Sequence, residues 1–580
     1  MSGDPWVTSR LGDKALPVVD RYTREDLDCD LVIAALPGVQ RFIAESRRTA
    51  DLFASSELMS ELAAALRTAV EEPAELVMPA SPHLEAGIPN RVVALAPVGR
   101  GEELARSMAQ AVQRCWEALL GGDPASPGFP VVQWVVVPPG GGYEAQWKRA
   151  QWLLAQRKRI RDFTFPPQPQ TRVCSLTGRW PASEEYFRQA GEFLSTVAQV
   201  KRRRGQRTVF PSTWSIASAP YRAALLEAED ARVAGQAEQL QTALSLLEME
   251  AGTILPQRGG DLPGMPRARA KGLQWLGGIE GAWCATQTWD IEYLRREYGV
   301  NATAQNSADI DYACTEGRKA AHELKDLAAE LGLPGLSPYL AVLVQDADRL
   351  GEKLGKAELA SGMPMRRWHA RVSEALADAG QRQRAVIESR ECLGKVVYAG
   401  GDDLLALLPL VTALAAARKS YAAFQQATAD VVPGASVSTA LLFFHVSSTL
   451  QSVVAAAQSL LDEAKTCHRP GIAISVLHRG GERARWISAW NEEKIDLIET
   501  LVRAMGDEGA LSARLAIGLE RDRPELESLD EDWRRMEVAR RAVRHGMSED
   551  GARALATLSA DERYVDALLV ARFLAAEGAR

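Results

Sequence analysis

The stretch Lys395-VVYAGGDDLLALL-Pro409 decides the fold, because two apolar runs flank a Gly-Gly-Asp-Asp tetrapeptide. Each run has the length of a buried strand, and glycine and aspartate are favoured in tight turns. The stretch therefore predicts a β-hairpin with Asp402 and Asp403 at the start of its second strand. An earlier apolar run, Tyr339-LAVLV-Gln345, leads into Asp346-Ala347-Asp348. Acidic residues thus stand at the ends of two predicted strands.

The elements around these strands follow the order β-α-β-β-α-β, with one extra helix and one extra strand. The first half of the chain repeats this order, beginning with the apolar run Asp30-LVIAAL-Pro37 and a helix from Val39 to about Val70. Between the two halves the sequence is mostly helical and polar, and only helical periodicity remains from about Ile487 onward. The pattern predicts an α+β fold with two ferredoxin-like domains, a helical inserted domain and a C-terminal helical bundle.

The predicted boundaries divide the chain into five segments. They are an N-terminal extension (1–27), a first ferredoxin-like domain (28–165), a mostly helical middle domain (166–335), a second ferredoxin-like domain with the Gly-Gly-Asp-Asp turn (336–486) and a C-terminal helical domain (487–580). Only the second ferredoxin-like domain carries acidic residues at its strand ends. The first is therefore expected to be a non-catalytic structural copy.

The composition indicates a globular protein of the cytoplasm. Of 580 residues, 46% are hydrophobic and 25% charged, and 68 Lys plus Arg against 75 Asp plus Glu give a net charge of -7. An acidic chain is not typical of a nucleic-acid-binding protein, so any such contact must be local. The seven scattered cysteines argue against a disulfide framework. No secretion signal or membrane span is expected, since no stretch approaches about 20 uninterrupted apolar residues.

Asp346, Asp402 and Asp403 are the candidate catalytic residues. The first and third strands of a ferredoxin-like sheet are central neighbours, so these carboxylates are expected to lie close together. Crowded carboxylates need a cation, and hard oxygen ligands favour Mg²⁺ or Mn²⁺, completed by substrate phosphates. Two such ions can activate a 3′-hydroxyl and neutralise a leaving pyrophosphate. The alternative is an ordinary hairpin turn, because Gly-Gly-Asp-Asp alone is common in turns.

Five further residues are candidates for nucleotide binding. Gly400 and Gly401 have no Cβ atom, which lets the backbone approach a nucleotide and adopt a positive φ. Asp348 follows the first acidic strand, His445 ends an apolar strand, and Lys465 ends an amphipathic helix. Each of the last three also has a structural explanation. Asp348 can cap a helix, His445 can be a core or rim residue, and Lys465 is favoured by the helix dipole.

Two basic runs are the only dense positive patches. They are Arg157-Lys158-Arg159 and Lys201-RRR-Gly205. Either can contact RNA, but a run of charges is usually a solvated face. The first run lies on a helix whose apolar side is expected to include Trp152, Leu153 and Ile160.

Five stretches together resemble the large polymerase-like subunit of type III CRISPR effector complexes, in the Cmr (III-B) branch of the Cas-ten family. The resemblance spans nearly the whole chain. The first stretch is similar to that family's first palm segment, the second to the helix leading out of it, the third to a middle-domain signature, and the last two to its second palm motifs. They are Leu36-PGVQRFIAESRRTADLFASSELMS-Glu61, Gln151-WLLAQRKRIRDF-Thr164, Phe210-PST-Trp214 with Ile216-ASAPY-Arg222, Tyr339-LAVLVQDADRLG-Glu352 and Tyr398-AGGDDLLAL-Leu408.

The resemblance implies that both ferredoxin-like domains are palm domains and that the chain makes cyclic oligoadenylates from ATP when guide RNA pairs with a target transcript. Asp346, Asp402 and Asp403 would then be metal ligands for two Mg²⁺ or Mn²⁺ ions. Gly400 and Gly401 would shape the nucleotide site. The implied partners are the other subunits of a type III complex, guide RNA and target RNA.

Three departures from the family pattern limit what is expected. No His-Asp pair occurs in the chain, so we do not expect an HD nuclease domain or DNA cleavage by this subunit. Thr177 stands where a second zinc-binding cysteine would follow Cys174, so we do not expect zinc. Ala347 replaces the glycine usual between the two acids of the first strand, and we expect the added methyl group to be tolerated.

Two other functions fit the same sequence. The chain could be a catalytically silent scaffold that binds nucleotide and organises the RNA-guided complex, although clustered carboxylates are unfavourable when unused. It could also be a stand-alone cyclase acting on GTP, which would require turnover without RNA. The helical appendages disfavour the second of these.

Overall fold

The computed structural model describes residues 28–80, 89–123, 128–160, 172–182, 192–207, 209–256, 258–303, 305–506 and 513–578. Within these ranges the chain forms two β-sheets and many helices, so the expected mixed α+β class is confirmed. The expected N-terminal extension (1–27) and the boundary at 165 lie outside the described residues. Among the helices described, none combines the length and apolar character that crossing a membrane requires.

The first sheet is built from four short strands and is covered by helices. The elements are β1 (Cys29–Ala35), α1 (Val39–Ala44), α2 (Thr49–Thr68), β2 (Glu75–Met78), β3 (Arg91–Pro97), α3 (Gly101–Leu120), β4 (Gln133–Val137) and α4 (Gly142–Arg159). The strands are antiparallel in the order β2-β3-β1-β4. Six of the seven residues of β1 are buried, as its unbroken apolar run predicts.

The prediction of a single helix from Val39 to about Val70 is wrong in one respect. The structure has two helices there, α1 and α2. Arg48 adopts an extended conformation with φ -104° and ψ 148°, which no helix can continue through. Next to this break, the Ser46 and Ser55 hydroxyls lie 3.2 Å apart and are buried. The break changes the direction of the chain so that α2 can lie between the two sheets.

The middle of the chain is helical, as predicted. Its helices are α5 (Thr196–Arg207), α6 (Thr213–Ala217), α7 (Ala219–Glu227), α8 (Ala231–Glu250), α9 (Gln274–Gly278), α10 (Ile291–Tyr298) and α11 (Ser307–Glu330). The long helices α8 and α11 pack on each other around a core that includes Leu240, Trp283 and Trp289. Arg222 is buried there and donates hydrogen bonds to the carbonyl oxygens of Ser215 and Ile279, which ties α7 to α6 and to the loop after α9.

Lys201 anchors α5 to the first sheet. Its side chain is buried, its ammonium group lies 3.8 Å from the centroid of the Phe42 ring, and it donates hydrogen bonds to the carbonyl oxygens of Phe42 and Glu45. Burial lowers the pKa of Lys201 to about 7. The basic run that begins at Lys201 therefore starts inside the molecule.

Lys201 is expected to make stability increase with pH between about 7 and 10. The pKa is lower in the folded protein than in the unfolded chain, so in this window the unfolded chain binds more protons and folding becomes more favourable as pH rises. We expect the melting temperature of the wild type, relative to Lys201→Met, to increase from pH 7 to pH 9. Thermal unfolding of both proteins at the two pH values measures this difference. A constant difference would show that Lys201 does not titrate in this range.

The second sheet has six strands and carries the acidic residues. Its elements are β5 (Tyr339–Ala347), α12 (Leu350–Lys353), α13 (Met365–Ile387), β6 (Lys395–Ala399), β7 (Asp403–Pro409), α14 (Ala413–Thr428), β8 (Val437–His445), α15 (Leu450–Cys467), β9 (Gly471–His478) and β10 (Gly481–Ala489). The strand order is β10-β9-β8-β5-β7-β6, in which only β8 and β9 are parallel. The predicted hairpin of β6 and β7 is present.

Strand β10 was not predicted. It pairs antiparallel with β9, so residues 487–489, which were assigned to the C-terminal helical segment, extend the sheet. Helices follow it as α16 (Glu492–Gly506), α17 (Ala513–Arg521), α18 (Arg523–Glu527), α19 (Glu531–Arg544), α20 (Glu549–Leu558) and α21 (Tyr564–Gly578). They share one core with a face of the second sheet, which includes Leu343, Trp486 and Leu568.

The two sheets are joined by shared apolar cores. In one of them Leu58 and Leu62 of α2 pack in the same cluster as Leu407 and Phe444 of the second sheet. In another, Ile33 of the first sheet lies in the same cluster as Leu376 of α13. Burial of this kind stabilises by about 25 cal/mol per Å² of apolar surface. The acidic hairpin is therefore supported from the first sheet as well as from its own.

Candidate active site

The acidic residues of the two predicted strands are brought together by the register of the sheet. Strands β5 and β7 pair antiparallel, with Asp346 directly opposite Asp403. The backbone N–H of Ala347 also donates a 2.9 Å hydrogen bond to the carbonyl oxygen of Asp402. The same residue of β5, Asp346, is opposite Ser438 of β8 on its other side. The carboxylates of Asp346, Asp402 and Asp403 therefore lie at one end of the central strands.

Lys465, at the end of α15, forms an ion pair with Asp346. Its side chain is mostly buried, and Asp346 is more exposed. One turn further on, Arg469 donates a 2.8 Å hydrogen bond to the carbonyl oxygen of Lys465. The candidate Lys465 is thus at the carboxylates, and a cationic group balances part of their charge.

The pKa values of two of the carboxyl groups are raised. Burial, followed by the charge of Asp346, raises the pKa of Asp402 to about 6. Burial and the charge of Asp402 hold the pKa of Asp403 well above its usual range, and a hydrogen bond with the Asp346 carboxyl group acts in the same direction. Both side chains are half-buried. Crowding of like charges is what an added cation would relieve.

A cavity of about 260 Å³ opens beside these residues. Its lining combines carboxylates with cationic side chains. The lining residues are Asp346, Ala347, Asp348, Arg349, Leu350, Gly351, Asp402, Lys465 and Arg469. Carboxylates can hold a metal ion, and the cationic side chains next to them can hold phosphate. This combination suits a metal-bound nucleotide.

The chemistry of the donor atoms fits Mg²⁺ or Mn²⁺. All the candidate ligands are carboxylate oxygens, the hard donors that these ions prefer. Burial is the main cause of the raised pKa values of Asp402 and Asp403, and the neighbouring carboxylates add to it. In the described part of the chain, however, no three Asp, Glu, His or Cys side chains are already arranged around one point as a metal site. In this arrangement the ammonium group of Lys465 occupies the carboxylate of Asp346.

Gly400 and Gly401 are required by the packing of the turn itself. A Cβ atom on Gly400 would lie 2.1 Å from the hydroxyl oxygen of Tyr398. A Cβ atom on Gly401 would lie 2.2 Å from the carbonyl oxygen of Leu376, and Gly401 has φ +94°. The sequence suggested that these glycines leave room for a nucleotide. The structure gives them a second reason, which is close contact with α13 and with β6.

Asp348 lies at the cavity but is held by hydroxyl groups. Its carboxylate accepts hydrogen bonds from Ser436 (2.9 Å) and Ser438 (2.7 Å). Its backbone N–H donates to the carbonyl oxygen of Ser436. The next residue, Arg349, has φ 50°, a left-handed conformation that is uncommon outside glycine. Asp348 therefore fixes the turn that lines the cavity.

His445 does not reach the site, so its assignment to nucleotide binding is corrected. It is opposite Tyr339 at the far end of β5, seven residues from Asp346, which is about 24 Å along a strand. Its Nδ1 is 2.8 Å from the hydroxyl oxygen of Ser447, and Nε2 is 3.3 Å from Arg479. His445 is a buried rim residue, which was the alternative explanation.

The basic run Lys201–Arg204 is mostly used inside the protein. Arg202 is buried and bonds both carboxylate oxygens of Asp51 (3.1 and 3.0 Å), and Arg203 bonds Asp123 at 2.6 Å. Arg204 is within 3.5 Å of Glu57. These contacts fasten α5 to α2 and α3, so this run is not a free surface for RNA.

Two cationic residues of the cavity, Arg349 and Arg469, were missed from the sequence. Arg469 lies four residues after Lys465, the spacing that places two side chains on one side of a helix, although α15 itself ends at Cys467. That spacing was a signal that could have found it. Arg349 carried no such signal, because its position depends on the left-handed turn after β5.

Two segments of the chain match known protein families. The family model "Cas10/Cmr2, second palm domain" matches residues 339–473, and the model "CRISPR-associated protein Cmr2, N-terminal" matches residues 31–121. The CRISPR system Cmr subunit Cmr2 of Pyrococcus furiosus is 28% identical over 219 residues, which are 33% of this chain. That match covers only 24% of the relative's own length.

Two solved structures share the fold over most of the chain. The apo state of the type III-B Cmr-β complex contains a chain with a TM-score of 0.58, and this protein covers 78% of it. The same complex bound to cognate target RNA gives a TM-score of 0.55 with 79% of that chain covered. Sequence identity is 14% in both cases, and the matches cover 92% and 90% of this protein.

The second sheet and its acidic hairpin define a palm-domain protein. Both family models, one in each half of the chain, come from the same kind of protein. Two segments of this chain, residues 31–121 and 339–473, are thus similar to the Cas10/Cmr2 family.

Proposed function

We propose that this protein is a target-RNA-activated nucleotidyltransferase that converts ATP to cyclic oligoadenylate as the large subunit of a type III CRISPR complex. The observation that carries the proposal is the register that sets Asp346 against Asp403 beside a cavity with Lys465. In this proposal both sheets are palm domains of the ferredoxin-like kind. The expected limits are 28–165 and 336–486, and the second is extended to 489 so that it includes all of β10. The other subunits, guide RNA and target RNA are its partners, and the cytoplasm is its location.

The reaction would join nucleotides through phosphodiester bonds. The 3′-oxygen of one ATP forms a bond to the α-phosphorus of the next, and the bond from that phosphorus to pyrophosphate breaks. Two Mg²⁺ or Mn²⁺ ions held by Asp346, Asp402 and Asp403 would supply charge neutralisation and an activated hydroxyl. Lys465, which pairs with Asp346, and Arg469 bind the phosphates at the same cavity.

The remaining residues position these groups. Asp348, through Ser436 and Ser438, holds the turn after β5 against β8. Gly401 lets the acidic turn sit against the backbone of α13. A fixed turn keeps Asp402 at the cavity and Asp403 opposite Asp346 without rearrangement during the reaction, which is what preorganised catalytic sites require.

Product analysis tests the proposal against its alternatives. The assembled complex is incubated with ATP, Mg²⁺ and a matching target RNA, and the products are identified by mass spectrometry. Adenylate rings are expected only with target RNA. Normal RNA binding without rings would support the scaffold function. Turnover of GTP by the isolated chain without RNA would support a stand-alone cyclase.

Replacing Lys465 by methionine is expected to weaken the binding of ATP and to strengthen the binding of Mn²⁺. Loss of the ammonium group removes a charged hydrogen-bond donor for phosphate, so the Kd for ATP should increase roughly ten- to a hundredfold. Asp346 loses its ion pair, so Mn²⁺ should bind more tightly than to the wild type when no nucleotide is present. Calorimetric titrations with ATP and with Mn²⁺ measure both effects.

Lys494→Met is the matched control, because Lys494 is also half-buried and paired with one aspartate, Asp561, at 2.7 Å. It should leave both affinities unchanged. Equal ATP affinity in Lys465→Met and the wild type would remove Lys465 from the phosphate site.

A further inference from the structure

Helix α4 (Gly142–Arg159) shows an unusual distribution of its large side chains. Its inner side is formed by Gln146, Trp147, Ala150 and Leu154, all of which are buried. Trp152 was expected on the same apolar side, but it is 62% exposed, and Ile160 just after the helix is 59% exposed. That expectation is therefore wrong, and a tryptophan faces the solvent.

Trp152 lies at the centre of the outer side of α4. With about 100° between successive residues of a helix, it points almost directly away from the mean direction of the four buried residues. The same geometry puts Lys148, Arg149 and Arg159 on either side of it, and all three are exposed. We call Lys148, Arg149, Trp152 and Arg159 together the α4 surface.

The charge of α4 is opposite to that of the whole chain. The helix has five basic residues (Lys148, Arg149, Arg157, Lys158 and Arg159) and one acidic residue (Glu144), which gives 5 − 1 = +4. The complete chain has a net charge of -7. Glu144 bonds Lys148 at 2.6 Å, but both side chains are exposed, and such pairs are weak. The α4 surface is a local positive patch on an acidic protein.

We propose that the α4 surface binds a single strand of RNA. Trp152 stacks on one base, and the basic side chains around it contact the neighbouring phosphates. Single-strand binding sites combine aromatic platforms with a positive track for the backbone. A duplex offers no open base face to a tryptophan, so the preference should be for unpaired strands. The inference rests on the proposed function, since it names a surface through which an RNA-guided subunit contacts RNA.

A second exposed tryptophan, Trp533, lies on a different kind of surface. Trp533 on α19 (Glu531–Arg544) is 61% exposed, but Met536 and Val543 on the same side are also exposed. The arginines of α19 are largely paired, for example Arg540 and Arg541 with Glu537. That helix presents an apolar stripe beside arginines that are largely paired, unlike the aromatic ring of α4 among exposed cations. It supplies a matched control.

The test measures RNA binding by the full chain without ATP. The probe is a 5′-fluorescein-labelled oligouridylate of 20 nucleotides, chosen because it is unpaired, and fluorescence anisotropy is recorded at several KCl concentrations. Trp152→Ala should weaken binding about tenfold, since stacking on one base is typically worth that much. Arg149→Gln with Arg159→Gln should make the dependence of log K on log salt shallower by roughly 1. Trp533→Ala and Arg540→Gln should change neither quantity.

Three results would overturn the inference. They are no binding of the oligouridylate by the wild type, an affinity for Trp152→Ala within twofold of Trp533→Ala, or equal affinity for a duplex RNA of the same length. The assay contains no ATP, so it is independent of ring synthesis. A complex that makes no rings but loses RNA affinity in Trp152→Ala would contradict the proposed activity and still support this surface.

Discussion

Replacing both Asp402 and Asp403 by asparagine is expected to lower ring synthesis by at least about a thousandfold, because it removes the charges that hold the metal ions. Asparagine keeps the size of each side chain and an oxygen that can accept the hydrogen bond from the Asp403 backbone N–H. Assembly with partner subunits and RNA binding should be unchanged. Product formation per assembled complex is the quantity to measure.

The same double variant should be more stable than the wild type when no metal is present. The pKa of Asp402 rises to about 6 in the folded protein, so its ionised form destabilises the fold at neutral pH, by about 1.4 kcal/mol for each pKa unit at most. The gain in melting temperature should be larger at pH 7.5 than at pH 5, where the folded protein already binds the proton.

Asp430→Asn with Asp462→Asn makes the same change in charge at two exposed positions of the same half of the chain. That control should retain synthesis and gain no stability. Full synthesis by the Asp402 and Asp403 double variant would remove both residues from the mechanism.

Gly401→Ala is expected to destabilise the protein by about 2–5 kcal/mol and to abolish synthesis. Alanine at φ +94° is strained, and its Cβ would lie 2.2 Å from the Leu376 carbonyl oxygen, which the buried helix α13 cannot move cheaply. Thermal unfolding and product analysis measure the two effects. Gly332→Ala is the control for backbone strain alone, because Gly332 has φ +65° and nothing within 4 Å of the added Cβ. It should cost about 1 kcal/mol.

Gly400→Ala is expected to destabilise the same turn, and a second substitution should restore part of the lost stability. The added Cβ would meet the Tyr398 hydroxyl, which is the end of a side chain. The added Cβ would also lie 2.7 Å from Cζ of Tyr398, so the end of the ring clashes as well as the hydroxyl. Tyr398→Leu removes both atoms, so its combination with Gly400→Ala should recover stability that Gly400→Ala alone loses, whereas Gly401→Ala should not be rescued. Rescue of both, or of neither, would contradict the packing described for the turn.

The sequence was sufficient to predict the strands and the place of the acidic residues. An apolar strand of fixed length that ends in Asp346, and a hairpin that begins with Asp402, can pair in very few ways. The buried strands of both sheets were visible for the same reason. Strand β10 was not, because Glu482, Arg483 and Arg485 on this exposed edge make it look like a polar loop.

Other details depend on contacts that no local pattern contains. The pairing of Lys465 with Asp346 joins residues 119 positions apart. The clash of Gly401 with Leu376 depends on how closely α13 packs on the turn. The position of His445 could have been deduced, since an antiparallel neighbour of β5 must end at the opposite end of the sheet from Asp346. The exposure of Trp152 was not visible in the sequence, because tryptophan is on average a highly buried residue.

The proposed mechanism requires that carboxylates from two paired strands share divalent ions. Titration with Mn²⁺, followed by electron paramagnetic resonance, measures this binding. Free Mn²⁺ is counted as the metal is added to the wild type, to Asp402→Asn with Asp403→Asn, and to Asp430→Asn with Asp462→Asn. Saturable binding to the wild type and the control, lost in the Asp402 and Asp403 variant, is the predicted result. Binding of equal affinity and stoichiometry in all three proteins would contradict the account.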